Sequence, residues 1–272
     1  METLGYAILA MFAAGLGTIG GLGGAILLVP ALVVTGTPAA EAAPIGLVTV
    51  VAGSISAAPR QLVERATNHR VGVATELAAS TGAVVGATLA GTVSDRLLTY
   101  VLAAVAATAA AISAKPPRHA TVPDPRCVAA DIGERIGALA GATPTATGIV
   151  PYTARRVPIT MGLMWVAGLI AGTSGVSGGF IKTPATSEVM RIPTRVAAST
   201  TTFTVGITSS TALLVLAIDG RIDARSCAAA ISGSLVGGRL GSTLQSSLSD
   251  DAVRAVLCVL LAVVAVILVA RA

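Results

Sequence analysis

Residues 168–184 read Gly168-Leu-Ile-Ala-Gly-Thr-Ser-Gly-Val-Ser-Gly-Gly-Phe-Ile-Lys-Thr-Pro184. The stretch is apolar on both flanks and broken in the middle by small residues. An earlier stretch has the same form: Gly15-Leu-Gly-Thr-Ile-Gly-Gly-Leu-Gly-Gly-Ala-Ile-Leu-Leu-Val-Pro30. A shift of 154 residues lays Gly21 on Gly175, Gly24 on Gly178 and Pro30 on Pro184, and further on Ala43 on Ala197, Val51 on Val205, Ser56 on Ser210 and Ala58 on Ala212. One more residue of slip lays Gly82 on Gly237, Gly86 on Gly241, Leu89 on Leu244 and Asp95 on Asp250. The chain is two copies of one unit, and each copy opens on a glycine-broken apolar segment.

Composition sets the class. Of 272 residues, 54% are hydrophobic and only 11% charged, against about 25% charged in soluble domains. The mean hydropathy is +0.84. This is the composition of an integral membrane protein. Met1-Glu2-Thr3 carries no basic residue, so no cleavable signal peptide is expected. The net charge of +5 is not a nucleic-acid signature, because the basic residues lie in loops, where they report membrane orientation. Cys127, Cys227 and Cys258 are scattered without metal-binding spacing.

Residues 41–58, 71–91, 96–114, 196–218, 224–245 and 252–270 each have the length of one crossing, at about 1.5 Å per residue through about 30 Å of hydrocarbon. Residues 4–36 and 159–191 are too long: 33 residues make a helix of about 50 Å. Each is either one tilted, kinked helix or a hairpin of two half-helices meeting at the glycines. With single crossings the Lys and Arg residues divide 12 to 6 between the two sides; with hairpins, and Lys182 set aside, they divide 13 to 4. The sharper asymmetry favours hairpins. Both termini are then expected outside the cytoplasm of a cell (plasma) membrane protein.

Three full crossings per unit is an odd number, so the expected fold is an all-α integral membrane protein with two inverted pseudo-repeats. Each is a glycine-broken helical hairpin plus three transmembrane helices, a build common among secondary transporters. The expected division is a first membrane repeat at 1–114, a cytoplasmic linker at 115–158 and a second membrane repeat at 159–272. Within the linker, residues 132–149 are weakly apolar and are expected as a short surface helix.

Non-helical backbone inside a bilayer must face protein or a wet cavity. The glycine turns, Gly20, Gly21, Gly23 and Gly24 in one copy and Gly175, Gly178 and Gly179 in the other, are therefore expected to line a site. Half-helices starting there aim N-terminal amides inward and attract anions, by up to about 2 kcal/mol each. Two such ends give about 4 kcal/mol, a millimolar affinity suited to a carrier. Ser174 and Ser177, with Ser199, Thr200 and Thr201 at the start of the next span, supply hydroxyls, although such residues also let membrane helices pack closely. Lys182 reads either as a charge partner for the anion or as a lysine reaching to the nearer interface. Glu76 reads as pairing with Arg70 in preference to carrying a coupling proton. Gly175-Val-Ser-Gly178 matches the GxSG of rhomboid-type intramembrane proteases, but those need a histidine base on another span. The only histidines, His69 and His119, lie in loops. No HExxH or P-loop pattern occurs, so neither a metalloprotease nor a pump with its own ATPase is expected. No cofactor or resident metal is implied, and the expected partners are the lipid bilayer, a small anion and a coupling proton or cation.

The two glycine stretches, each ending in proline, resemble the TauE/SafE family of sulfite exporters. The second half carries the likeness most fully, through Gly175-Val-Ser-Gly-Gly-Phe-Ile-Lys-Thr-Pro184, Ile192-Pro-Thr-Arg-Val-Ala-Ala-Ser-Thr200, Asp219-Gly-Arg-Ile-Asp223 and Gly233-Ser-Leu-Val-Gly-Gly-Arg-Leu-Gly241. The resemblance implies a permease for sulfite, sulfonate, sulfoacetate or related organic anions, driven by an ion or proton gradient, and not an enzyme. It departs at Ala43-Pro-Ile-Gly46, where the family often carries hydroxyls that the second half keeps at Ala198-Ser-Thr-Thr201. A passive anion channel on the same scaffold is the alternative.

Overall fold

The computed structural model describes residues 3–19, 23–113, 123–128, 131–145, 148–244 and, of the last stretch, 258, 259, 262, 263 and 265–270. Helix α1 spans Thr3–Ile19, α2 Ala25–Val34, α3 Ala39–Val63, α4 His69–Ala90 and α5 Asp95–Ser113. After strands β1 (Gly133–Glu134), β2 (Ala140–Thr145) and β3 (Gly148–Thr153), helix α6 spans Val157–Ser174 and α7 Gly179–Pro184, which runs on as a π-helical turn over Ala185–Val189. Helix α8 spans Thr194–Ile218 and α9 Ala224–Leu244. Among the described residues, four helices are long and apolar enough to cross a membrane: Ala39–Pro59 within α3, α4, α6 and α8. Helices α5 and α9 have the length, at 19 and 21 residues, but are not among those four. Most of the expected last span, 252–270, lies outside the described residues.

Local chemistry fixes the ends. Asn68 caps α4, its side chain accepting from the Val71 amide at 3.0 Å, which satisfies one of the free amides of the first turn. Helix α8 starts directly after Pro193 and α6 carries a proline in its first turn, where the missing amide costs nothing. Helix α6 stops at Gly175, whose φ of +71° is a left-handed cap that glycine adopts without strain.

The helices pack in a row of neighbours: α1 on α9, α9 on α3, α3 on α8, α8 on α4 and α4 on α6. The outer seams are close because their glycines bring backbone onto backbone. A Cβ added at Gly82 would collide with the Trp165 carbonyl oxygen, and one at Gly168 with that of Ala79. At the other end of the row, Gly237 and Gly241 press in the same way on the carbonyls of Met11 and Gly15. These contacts correspond: shifts of 155 and 154 residues carry Gly82 and Trp165 onto Gly237 and Met11, and Gly86 and Leu169 onto Gly241 and Gly15. Between apolar helices in lipid, this small-residue packing is the main adhesive. The bounds of α3 and α8, and the starts of α4 and α9, differ by 155 residues. The slip from 154 to 155 thus falls in the loop before α3 and not, as the residue matches imply, after Ala58, because a proline ends that loop in both copies, Pro38 and Pro193.

Helices α3 and α8 run in opposite directions. Glu64 near the end of α3 takes a hydrogen bond from Arg195 at the start of α8 at 2.8 Å. At the other end, Arg221 donates to the Ala40 carbonyl at 3.5 Å. Midway, the Ser54 hydroxyl donates to the Thr202 carbonyl at 2.5 Å.

The second long segment turns back on itself. Gly178 lies against Ala167, Ala185 packs with Met164, and the Arg155 amide donates to the Met190 carbonyl at 3.0 Å. Its mouth therefore closes on the side it entered. In the first copy Gly24 lies against Ala13 and Ala14, the positions that the 154-residue shift matches to Gly178 and Ala167–Gly168.

The linker corrects one expectation. The described residues of 132–149 form no helix and contribute to a three-stranded antiparallel sheet, with Gly133 opposite Ala142 and Gly141 opposite Tyr152. The segment has alternate burial along β3, the period of a strand and not of a helix. The sheet docks where α3 ends and α4, α6 and α8 begin: Tyr152 packs with Val71, Met190, Ile192 and Val196, and Asn68 donates to the Ala140 carbonyl at 3.2 Å and to the Tyr152 hydroxyl at 3.1 Å. Burial pushes the Tyr152 phenol above its ordinary value of 10.0, and the Asn68 hydrogen bond pulls it partly back.

Candidate functional site

The two glycine breaks meet. Gly23 has a φ of +81° and lies against the side chain of Ser177, leaving no room for a Cβ. Beside this contact is a pocket lined by Thr18, Gly23, Gly24, Gly53, Ser54 and Thr202, among others. It draws walls from the first break, from α3 and from α8. Gly175, on the second break, presses on Ala43 and Gly46 of α3. Gly24 and Gly178 are the residues directly preceding α2 and α7, and Gly179 is buried as the first residue of α7. Gly20 and Gly21 lie outside the described residues.

The hydroxyls divide. Ser177 is fully buried beside Gly23. Ser174 donates to the Ile170 carbonyl at 2.6 Å and helps close the end of α6. Thr200 accepts from the Asn68 amide at 3.0 Å, so it ties α8 to the α3–α4 loop. Ser199 and Thr201 are buried on the same stretch, toward the linker end of α8. Thr202, the next residue along α8, lines the pocket beside Gly23. His69, the only histidine among the described residues, sets its ring edge-on to Phe203 at 5.2 Å and lies 3.8 Å from Glu134.

One helical turn past the second break is a buried charge cluster. Lys182 is 1% exposed and Glu76 5%. The Lys182 ammonium donates to Glu76 Oε2 at 2.8 Å and also to the Thr208 hydroxyl. Thr208 in turn donates to Glu76 Oε1, with the Thr204 carbonyl 3.0 Å away as a second acceptor. The Ser80 hydroxyl donates to Glu76 Oε1 at 3.0 Å. Three helices hold the cluster: α4 brings Glu76 and Ser80, α7 brings Lys182 and α8 brings Thr208. Two further hydroxyls, Thr183 Oγ1 and Ser209 Oγ, are buried without a hydrogen-bond partner. Such an orphan costs about 1–3 kcal/mol.

This corrects the reading of Glu76. Its partner is Lys182 and not Arg70, because the α4 face that carries it turns toward α7 and α8; Arg70, six residues earlier, is exposed beside Glu134. Lys182 does not reach for an interface either. The clue was present in the sequence: one acid and one base, each alone in an apolar segment, avoid the cost of a lone charge in a membrane only by pairing. What sequence spacing cannot give is which two of the helices touch.

The sequence model of one family, described as Sulfite exporter TauE/SafE, matches residues 6–268. No curated protein and no solved structure matches the chain.

Proposed function

The chain belongs to the sulfite exporter TauE/SafE family, and from that premise we propose that it is a permease for small anions of the sulfite, sulfonate or sulfoacetate kind, working by alternating access. It is a multi-pass membrane protein. The observation that carries the reading is the meeting of the two glycine breaks, Gly23 against Ser177, beside a pocket walled by elements of both copies. Irregular backbone at that depth is tolerated where it lines a cavity, and α2 starts with its positive dipole end directly after Gly24, in the pocket lining.

Inverted halves are part of the proposal. Support comes from the opposed directions of α3 and α8 and from the corresponding glycine seams, which together describe halves able to rock about a shared centre. Arg65, Arg70, Arg135, Arg155, Arg156, Arg191 and Arg195 lie in the elements gathered around the linker sheet. The positive-inside rule makes that end cytoplasmic and sets both termini on the opposite side. The expected membrane is the plasma membrane.

The test is uptake by proteoliposomes of radiolabelled sulfite, sulfate, sulfoacetate and simple carboxylates. A carrier gives saturable uptake that is accelerated by unlabelled anion on the far side. Flux that rises linearly and ignores the far side would make the chain a channel.

A further inference from the structure

We propose that Lys182 and Glu76 form an exchangeable pair through which one proton and one monovalent anion cross together: the proton neutralises Glu76, and the anion takes the place of its carboxylate on the Lys182 ammonium. This deepens the transport reading above and rests on it.

Charge balance drives the inference. In the empty state the ammonium and carboxylate cancel. With an anion on Lys182 and a proton on Glu76 the cluster is again neutral. An anion without a proton leaves one net negative charge in a low-dielectric interior, and a proton without an anion leaves one positive charge; both are costly. The two neutral states are therefore the ones that move across, which makes the stoichiometry one to one and the transport electroneutral. No bond other than the O–H on Glu76 forms or breaks, and the proton comes from and returns to water.

Thr208 suits the exchange. Its single hydroxyl proton has two acceptors in place, Glu76 Oε1 and the Thr204 carbonyl. It can serve the ionised carboxylate and turn to the carbonyl when that carboxylate is protonated. The incoming anion has partners too. Thr183 and Ser209 are the chain neighbours of Lys182 and Thr208, and their hydroxyls are buried without a hydrogen-bond partner.

Among the described residues, the other ionisable groups of the elements packed around the pair lie near helix ends; on α5 they are Asp95, Arg96 and the exposed Tyr100. Helix α6, packed on α4, has none in its sequence. On α8 the only charged residue, Arg195, is bound to Glu64. His69 and Arg70 sit at the start of α4 beside Glu134, and Glu188 lies six residues beyond Lys182 in the π-helical turn.

The test uses proteoliposomes of the full chain with a trapped pH dye. The probe is methanesulfonate, a monovalent anion with no proton to lose near neutral pH. The expected result is uptake accompanied by internal acidification, proton for anion, at a rate unchanged by an imposed membrane potential. Methanesulfonate uptake without acidification, or a rate that follows the potential, would overturn the exchange while leaving the carrier intact. No uptake of any anion in the panel would overturn the transport reading itself. Glu76→Gln should keep exchange of internal for external anion and lose accumulation driven by a pH gradient; retained accumulation would refute the proposal. Should that variant fail to fold, Thr208→Val keeps both charges and should move the pH midpoint of uptake, and an unmoved midpoint counts against the exchange.

Discussion

The two glycine breaks match in sequence and differ in chemistry. The 154-residue shift that matches Gly24 to Gly178 also puts Leu28 on Lys182, and the 155-residue shift puts Gly53 on Thr208 and Ile231 on Glu76. Leu28 is fully buried, like Lys182. The first break thus fills the position with an apolar side chain, and the second carries a lysine whose partner, Glu76, comes from α4 of the first copy. Corresponding glycines close seams at both ends of the helix row, whereas among the described residues the buried charged cluster occurs once. The second break would then carry the coupling, and the first would supply the neutral wall of the pocket at Gly23, Gly24 and Gly53.

The largest effect should come from erasing half of that difference. Lys182→Leu leaves Glu76 buried without its partner, and the loss is expected to be about 3–5 kcal/mol, read as a fall in thermal unfolding temperature in detergent, together with loss of uptake. Leu28→Lys should be comparably damaging with no gain of transport, since no carboxylate waits at Ile231. If Leu28→Lys were tolerated, the first copy would hold a hidden counter-charge and the contrast would weaken.

A second effect tests the likeness instead of the difference. Gly82→Val and Gly237→Val occupy corresponding seams, and each is expected to lose about 1–3 kcal/mol by overpacking. Gly162→Ala on α6 meets open space and should be neutral or stabilising by up to about 1 kcal/mol. Unequal losses at Gly82 and Gly237 would mean that the seams are not equivalent.

The smallest effect lies in the linker sheet, which only one junction carries. Tyr152→Phe removes the acceptor for Asn68 and should cost about 1 kcal/mol. Because the Tyr152 phenol is raised above its ordinary 10.0, its contribution is fully present below that value and lost as pH rises through the folded-state value. An unfolding temperature that falls less steeply in alkali for Tyr152→Phe than for the native chain is the expected sign.

Much of the fold was legible because it rests on repetition and length. The glycine matches marked the repeat, and Gly82, Gly86, Gly237 and Gly241 prove to lie in close seams; the excess length of residues 159–191 signalled a segment that turns back, as Arg155 and Met190 show. The linker was misread because weak apolarity over 132–149 fits either period, and the decisive alternation appears only once Tyr152 docks against Val71. The site was half legible. Gly23, Gly24, Ser177 and Gly178 lie at the breaks as expected. Thr200 accepts from the Asn68 amide, a tie of the kind that hydroxyl content marks as readily as binding. Glu76, Lys182 and Thr208 come from three helices, and only the tertiary arrangement brings them together.

The most direct measurement gives the second break the residues of the first. The double variant Glu76→Ile with Lys182→Leu removes both charges, so no unpaired ion remains in the core. It should fold as stably as the native chain, by thermal unfolding and size-exclusion, and show no uptake of sulfite, sulfoacetate or methanesulfonate in proteoliposomes. Native rates of uptake in that well-folded variant would contradict the assignment of transport chemistry to the charged cluster.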